Sequence, residues 1–211
     1  MKRPLTLLVL PLLLAAVGCT SDPADDQPTS RPAAAERPSP FRDCATLTTP
    51  PASPDTSGAG TASPGATASG GQALPALTLS CFTGGAPVAL ADVAGPAVIN
   101  VWASWCPPCR KELPAFQRLS ERAAGQLQVV GVNSRDSRSG AQSIGEDFGV
   151  RFPILVDQGE ALQRELRRNA IPLTLFVDAD GRVRHIDATG ALDDAQLSKL
   201  VRQHLGLTVT V

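Results

Sequence analysis

A mixed α/β sheet with helices on both faces is the fold class this sequence predicts, and three observations predict it. Short apolar runs alternate with amphipathic stretches of helical period from Ala97 to Val177. A hairpin and a last amphipathic helix then close the chain. The most apolar run, Ala97-Val98-Ile99-Asn100-Val101-Trp102, leads through Ala103-Ser104-Trp105 into Cys106-Pro107-Pro108-Cys109 and a helix behind it.

Taken in order, the chain starts with a segment that stands apart from the fold. Lys2 and Arg3 precede the apolar stretch Leu5 to Val17, and Gly18-Cys19 follows. That is the pattern of a secretory leader, too short for a spanning helix of about 20 residues. Ala16-Val17-Gly18-Cys19 resembles a bacterial lipobox with alanine where leucine is usual, which makes Cys19 a candidate for lipidation; ordinary signal cleavage nearby is the alternative. Both place the protein outside the cytoplasm, where disulfides persist. Residues 20–73 are rich in Pro, Ala, Ser, Thr and Gly without apolar periodicity, the composition of a disordered tether. As free coil, Thr20 to Asp43 has a root-mean-square reach of roughly 25–30 Å.

The folded domain is expected over residues 74–211. Leu77 to Phe82 forms a first strand, Gly84-Gly85 a turn, and Val88-Ala89-Leu90 a short strand paired back onto the first. Ala97 to Val101 suits a strand buried on both faces. A helix from Arg110 to Arg122 carries Leu113, Phe116 and Leu119 on its inner side, with a kink expected at Pro114. Leu127 to Val132 is the next strand, Ala141 to Phe148 a helix, Phe152 to Val156 a strand and Glu160 to Arg167 a helix. Pro172 opens the strand Leu173 to Val177, and Asp178-Ala179-Asp180-Gly181 turns it into Val183 to Ile186. Asp193-Asp194 caps a final helix with Leu197, Leu200, Val201 and Leu205 inward.

Charge excludes one class of partner. A net charge of −1 gives no electrostatic handle for nucleic acid or an anionic membrane surface. The five cysteines divide neatly: Cys19 for lipid, Cys106 with Cys109, and Cys44 with Cys81. The last pair closes a 37-residue loop, for a stabilisation of roughly 4 kcal/mol in the chain-entropy account. Two free thiols, or a second redox-active pair, are the alternatives.

A Cys-x-x-Cys at a strand-to-helix junction is a thiol–disulfide motif. At the helix N-terminus the unpaired amides and the macrodipole favour a thiolate at Cys106. Pro107 and Pro108 fit the first helical positions, where a missing N–H is harmless. Cys109 falls on the same face, within disulfide reach. We therefore expect Cys106 to be exposed and nucleophilic and Cys109 shielded and resolving. Half of a zinc site is the other use of such a motif, but no second ligand pair exists, and His185 and His204 lack ligand spacing. No metal and no cofactor is expected.

The run Val98 to Pro114, with Ile171-Pro172-Leu173-Thr174-Leu175-Phe176-Val177-Asp178 and the Asp180-Gly181 turn, resembles thioredoxin-like proteins of the extracytoplasmic TlpA/ResA/DsbE-like branch. The resemblance covers about Leu74 to Leu207. It implies a thioredoxin-like fold with an N-terminal β-hairpin and an inserted helix–strand segment. It also implies a cis Pro172 packed on the disulfide, with the Ile171 backbone offered to a substrate strand. Trp105, Pro107 and Pro108 complete the expected substrate-facing surface. Asn100 stands where thioredoxin has a buried aspartate that accepts the resolving cysteine's proton, which an amide cannot do. Glu112 matches the branch's acid three residues beyond the second cysteine, and helical spacing puts it on the Cys109 face, placed to take that proton. The implied activity is thiol–disulfide exchange on protein substrates, reducing rather than oxidising, fed by a membrane thiol electron donor. Two rivals fit less well. A peroxiredoxin-like peroxidase has threonine where Ala103 stands, and a Sco-like copper chaperone has three residues between its cysteines.

Overall fold

The computed structural model describes residues 37–51 and 70–209. Cys19, the leader and most of the expected tether lie outside the described residues. Among the described residues, eight strands form one sheet: β1 (Gln72–Ala73), β2 (Thr78–Cys81), β3 (Val88–Ala89), β4 (Ala97–Trp102), β5 (Gln128–Ser134), β6 (Ile154–Asp157), β7 (Leu173–Val177) and β8 (Arg182–Asp187). Their order is β1-β8-β7-β4-β5-β6-β2-β3. Strands β4, β5 and β6 run parallel, and β7, β8 and β2 join them antiparallel. The helices are α1 (Pro107–Arg122), α2 (Arg138–Asp147), α3 (Ala161–Glu165) and α4 (Asp194–Leu205).

Every residue of β4 is buried, because β5 and β7 flank it and both faces are covered. Side chains alternate along a strand. Val98 and Trp102 therefore join the core beneath α1, α2 and α4, whereas Ile99 and Val101 join a second core containing Leu47, Leu90 and Leu162. The faces are unequal: three helices cover one, and short α3 with two 3-10 turns covers the other. Gly131, opposite Asn100, makes room for the indole of Trp102, since a Cβ there would come within 3.0 Å of its Nε1.

The structure corrects the expected tether. Residues 38–51 and 70–73 belong to the same unit as the rest of the described chain from Pro38 on. Phe41 is 5% exposed and Leu47 1%, and Phe41 meets Phe82 edge-on at 4.8 Å while its ring fills the space left by Gly145. A 3-10 turn spans Ala45–Thr48. Gln128 Nε2 donates to the carbonyls of Leu47 and Thr49, and β1 pairs with β8 through Gln72 and Val183. The physical reason lies in the sequence: Phe41, Cys44 and Leu47 recur at a spacing of three, a buried stripe diluted by the polar and proline residues around it.

Helix boundaries shift for equally local reasons. Helix α1 starts at Pro107 rather than Arg110 and continues through Pro114. Helix α2 starts at Arg138 rather than Ala141, because Ser137 Oγ accepts the Gly140 N–H and caps it. Helix α3 is shorter than Glu160 to Arg167, since those two end residues adopt left-handed backbone, φ 55° and 53°. The capping box of Asp193 and Gln196 sets the start of α4 as expected. The Ile171–Pro172 bond is cis, and so is Gly95–Pro96, which sequence reading did not anticipate. Among the described residues no helix is long and apolar enough to cross a membrane.

Candidate active site

Strand β4 delivers the chain to the start of α1, and the redox motif occupies that junction. Cys106 is the N-cap of α1, with extended backbone (φ −92°, ψ 105°), and Pro107 and Pro108 take the first two helical positions. Its Sγ accepts the Cys109 N–H at 3.2 Å. A donor aimed at that sulfur, added to the helix macrodipole, favours the thiolate once the pair is reduced. Cys106 and Cys109 are joined in a disulfide, with Cα atoms 5.3 Å apart.

The expected contrast in exposure is smaller than anticipated. Cys109 is fully buried, matching the shielding expected of it, but Cys106 is itself only 3% exposed. An N-cap side chain folds back over the first turn, and here it is also tied into the disulfide. What solvent meets at this junction is apolar: Pro107 is exposed, and Trp105 is 56% exposed. Trp105 is anchored by Nε1–H donation to the Arg135 carbonyl at 2.9 Å. Beside it lies a cleft of about 260 Å³, lined by Trp105, Arg135, Glu160, Gln163, Asn169 and Ile171 among others. Ile171 is half-buried and Pro172 buried.

Glu112 is only 1% exposed, beneath the sheet-facing side of α1. Its Oε1 accepts from Asn100 Nδ2 at 2.7 Å, and its Oε2 accepts from the Leu192 backbone N–H at 3.1 Å. Burial pushes its pKa up from 4.5 to about 7; the two hydrogen bonds pull it down, and the charge of Asp187 adds a further rise. The group is therefore poised to gain or lose a proton near neutral pH. Trp102 is fully buried core, with its Nε1 unpartnered among the described residues.

That shift is also a statement about stability. A carboxyl whose folded pKa lies above its unfolded value binds more protons folded than unfolded between the two, so stability falls as pH rises through that window. For Glu112 the window is pH 4.5 to about 7, and the cumulative cost is roughly 3 kcal/mol. Glu112→Gln should therefore gain on wild type steadily across that window and keep a constant advantage above it. Denaturant midpoints measured from pH 4 to 8 check this; a pH-independent difference would contradict it.

One residue of the site was missed by sequence reasoning. Asp136, at the corner between β5 and α2, accepts from Ser104 N and Ser104 Oγ, both at 2.6 Å, and from Asn133 Nδ2 at 2.9 Å. It fixes the loop just before Cys106 from 32 positions away. The only sequence signal was Asp-Ser ahead of a helix, which reads as a cap. The other predicted pair, Cys44 and Cys81, is joined away from this junction, with Cα atoms 5.9 Å apart, linking the N-terminal segment to β2. The two histidines stack on each other, rings 4.1 Å apart, between β8 and α4. Among the described residues no group of three or more His, Cys, Asp or Glu side chains is arranged to hold a metal ion.

Comparison with known proteins agrees with this geometry. The Redoxin family profile matches residues 69–201. The chain is 32% identical over 120 residues to the thioredoxin-like protein YneN of Bacillus subtilis, covering 55% of this chain and 69% of that one. It is 32% identical over 116 residues to the thiol:disulfide interchange protein DsbE of Pseudomonas fluorescens, covering 54% and 64%. The chain thus spans about two thirds of the length of these relatives. Among solved structures, a secreted Mycobacterium tuberculosis disulfide oxidoreductase homologous to Escherichia coli DsbE superposes with a TM-score of 0.54 at 25% identity, over 61% of this chain and 96% of that one.

Proposed function

This chain belongs to the Redoxin family, in its TlpA/ResA/DsbE-like branch, and from that premise we propose that it is an extracytoplasmic protein-disulfide oxidoreductase working through Cys106 and Cys109. The observation that carries the reading is the Cys106–Cys109 pair capping α1, with a buried acid of near-neutral pKa on the same helix. In the reducing direction the Cys106 thiolate attacks one sulfur of a substrate disulfide, forming a mixed disulfide and releasing the other substrate sulfur as a thiolate. Cys109 gives its proton to the Glu112 carboxylate and attacks Cys106 Sγ. The second substrate thiolate leaves, and the Cys106–Cys109 disulfide is restored. Two electrons have passed to the substrate, so each cycle needs re-reduction by an external dithiol, for which a membrane thiol donor is the natural source.

The apolar rim of Trp105 and Pro107 and the backbone of Ile171 suit an extended polypeptide substrate. Protein thiols outside the cytoplasm, including those prepared during cytochrome c maturation, form the proposed substrate class. Lipidation at Cys19 would hold the domain at the membrane. Cys19→Ser should then move the protein from the membrane pellet to the soluble fraction, and an unchanged distribution would refute the anchor.

Direction is tested by the reduction potential of the Cys106–Cys109 couple, equilibrated against glutathione. A value near −270 mV fits a reductant, and one near −120 mV an oxidant. The second value would overturn the reducing assignment and leave the exchange chemistry intact.

A further inference from the structure

Asn100 has no place in the exchange steps, yet it is the side chain that holds Glu112. It lies on β4 on the face shared with Val98 and Trp102, fully buried. Its Nδ2 donates to Glu112 Oε1 at 2.7 Å and has Thr174 Oγ1, on β7, at 3.5 Å. Among the described residues its own Oδ1 is buried with no hydrogen-bond partner. Leaving a buried acceptor unpaired costs on the order of 1–3 kcal/mol, so the orphaned oxygen calls for a use.

We propose that Asn100 is a positioning residue that keeps Glu112 hydrogen-bonded in both protonation states by turning its amide over. The proposal rests on the reading that Glu112 exchanges a proton with Cys109. A carboxylate only accepts hydrogen bonds, and Nδ2–H supplies one. A protonated carboxyl presents an O–H that needs an acceptor, which Nδ2 cannot be. Rotating the amide by half a turn exchanges two groups of nearly equal size and brings Oδ1 to the same spot. The orphaned oxygen of the ionised state is thereby the acceptor of the neutral state. Thr174, whose hydroxyl both donates and accepts, can serve either orientation. The Leu192 N–H on Oε2 is untouched, and no backbone moves.

The proton balance is simple. Cys109 S–H becomes thiolate, Glu112 Oε1 carries the proton with Asn100 Oδ1 as its acceptor, and the departing substrate thiolate or solvent later removes it. An aspartate at position 100 would instead set a second carboxylate against the first, and like charges that close cannot both ionise. The groups set against the Glu112 carboxyl are Asn100 on β4, the Leu192 amide ahead of α4 and Asp187 on β8, and helical spacing puts Cys109 on the same face of α1. Asp187 in turn lies 4.0 Å from His185 and accepts from Thr189. Titration of His185 therefore has to be followed separately.

The test is side-chain NMR on the reduced full-length protein, with Glu112 13Cδ reporting its own titration and both histidines monitored alongside. Well above the Glu112 midpoint, the Asn100 Hδ2 protons should show contacts to the Glu112 and Thr174 side chains. Below it the contacts to Glu112 should be lost, and the Asn100 15Nδ2 shift should follow the Glu112 midpoint rather than that of His185. Contacts that persist while Glu112 titrates would overturn the proposal. Asn100→Leu adds a functional arm: loss of the charge-assisted bond should move the midpoint of the pH–rate profile up by about one unit. An unshifted profile in the folded variant would also count against it. Should Glu112→Gln exchange disulfides at the wild-type rate, the proton-acceptor reading fails, while the NMR result on Asn100 stands or falls by itself.

Discussion

Cys106→Ser is expected to abolish disulfide exchange, and Cys109→Ser to stop it halfway. A serine hydroxyl at this N-cap stays protonated at neutral pH and is a poor nucleophile toward sulfur, so the rate with Cys106→Ser should fall at least about a thousandfold. Cys109→Ser keeps the attacking thiolate but cannot resolve the mixed disulfide, so the protein should accumulate covalently joined to its substrate. Insulin reduction followed by turbidity measures the first effect, and intact-mass spectrometry of the quenched reaction the second. The expected roles rest on position: Cys106 Sγ receives the helix N-terminal donor, whereas Cys109 is fully buried, on the same helical face as Glu112 by spacing. Equal activity of wild type and Cys106→Ser would end the mechanism. Trapping by Cys106→Ser instead of Cys109→Ser would reverse the assignment.

The second large effect concerns stability. Cys44→Ser with Cys81→Ser should lower the unfolding free energy by roughly 4 kcal/mol, the loop-closure term for 37 residues. For a domain of this size that corresponds to a melting temperature lower by about 10 °C. Both cysteines are changed together so that no lone thiol can exchange with Cys106. The loss is not only entropic in origin. Phe41 and Leu47 are held against Phe82, Gly145 and the second core by the segment this bond secures, and their release would uncover apolar surface. Activity per folded molecule should be unchanged, because the bond does not touch the α1 junction. A double variant as stable as wild type would show that the N-terminal segment adds nothing to the fold. A stable but inactive one would point to a redox role for this pair.

The fold was legible because its signals are local. Strand β4, its all-apolar pattern broken only by Asn100, the cysteine pair, the Asp193 cap and the hairpin at Asp178-Gly181 each declare themselves within a few residues. The position of Glu112 was also legible, since helical spacing places it on the face of α1 that carries Cys109. What stayed hidden depends on partners far along the chain. Asp136 meets Ser104 across 32 positions, Leu192 meets Glu112 across 80, and Asn100 meets Thr174 across 74. Residues 41–47 were hidden for another reason: three apolar side chains in a proline-rich setting do not register in composition, although each packs into a specific site.

The Cys44–Cys81 bond has a mechanical consequence. Tension on the chain upstream of residue 44 would cross that bond directly into β2, so the intervening loop would carry none of it. The loop would contribute nothing to extension until the bond is reduced, withholding roughly 130 Å of contour length. A domain pulled from its N-terminal side would thus be gripped at Cys81 on β2, beside β6 and away from the redox junction, and thiol reductants would set how much chain such a pull can release.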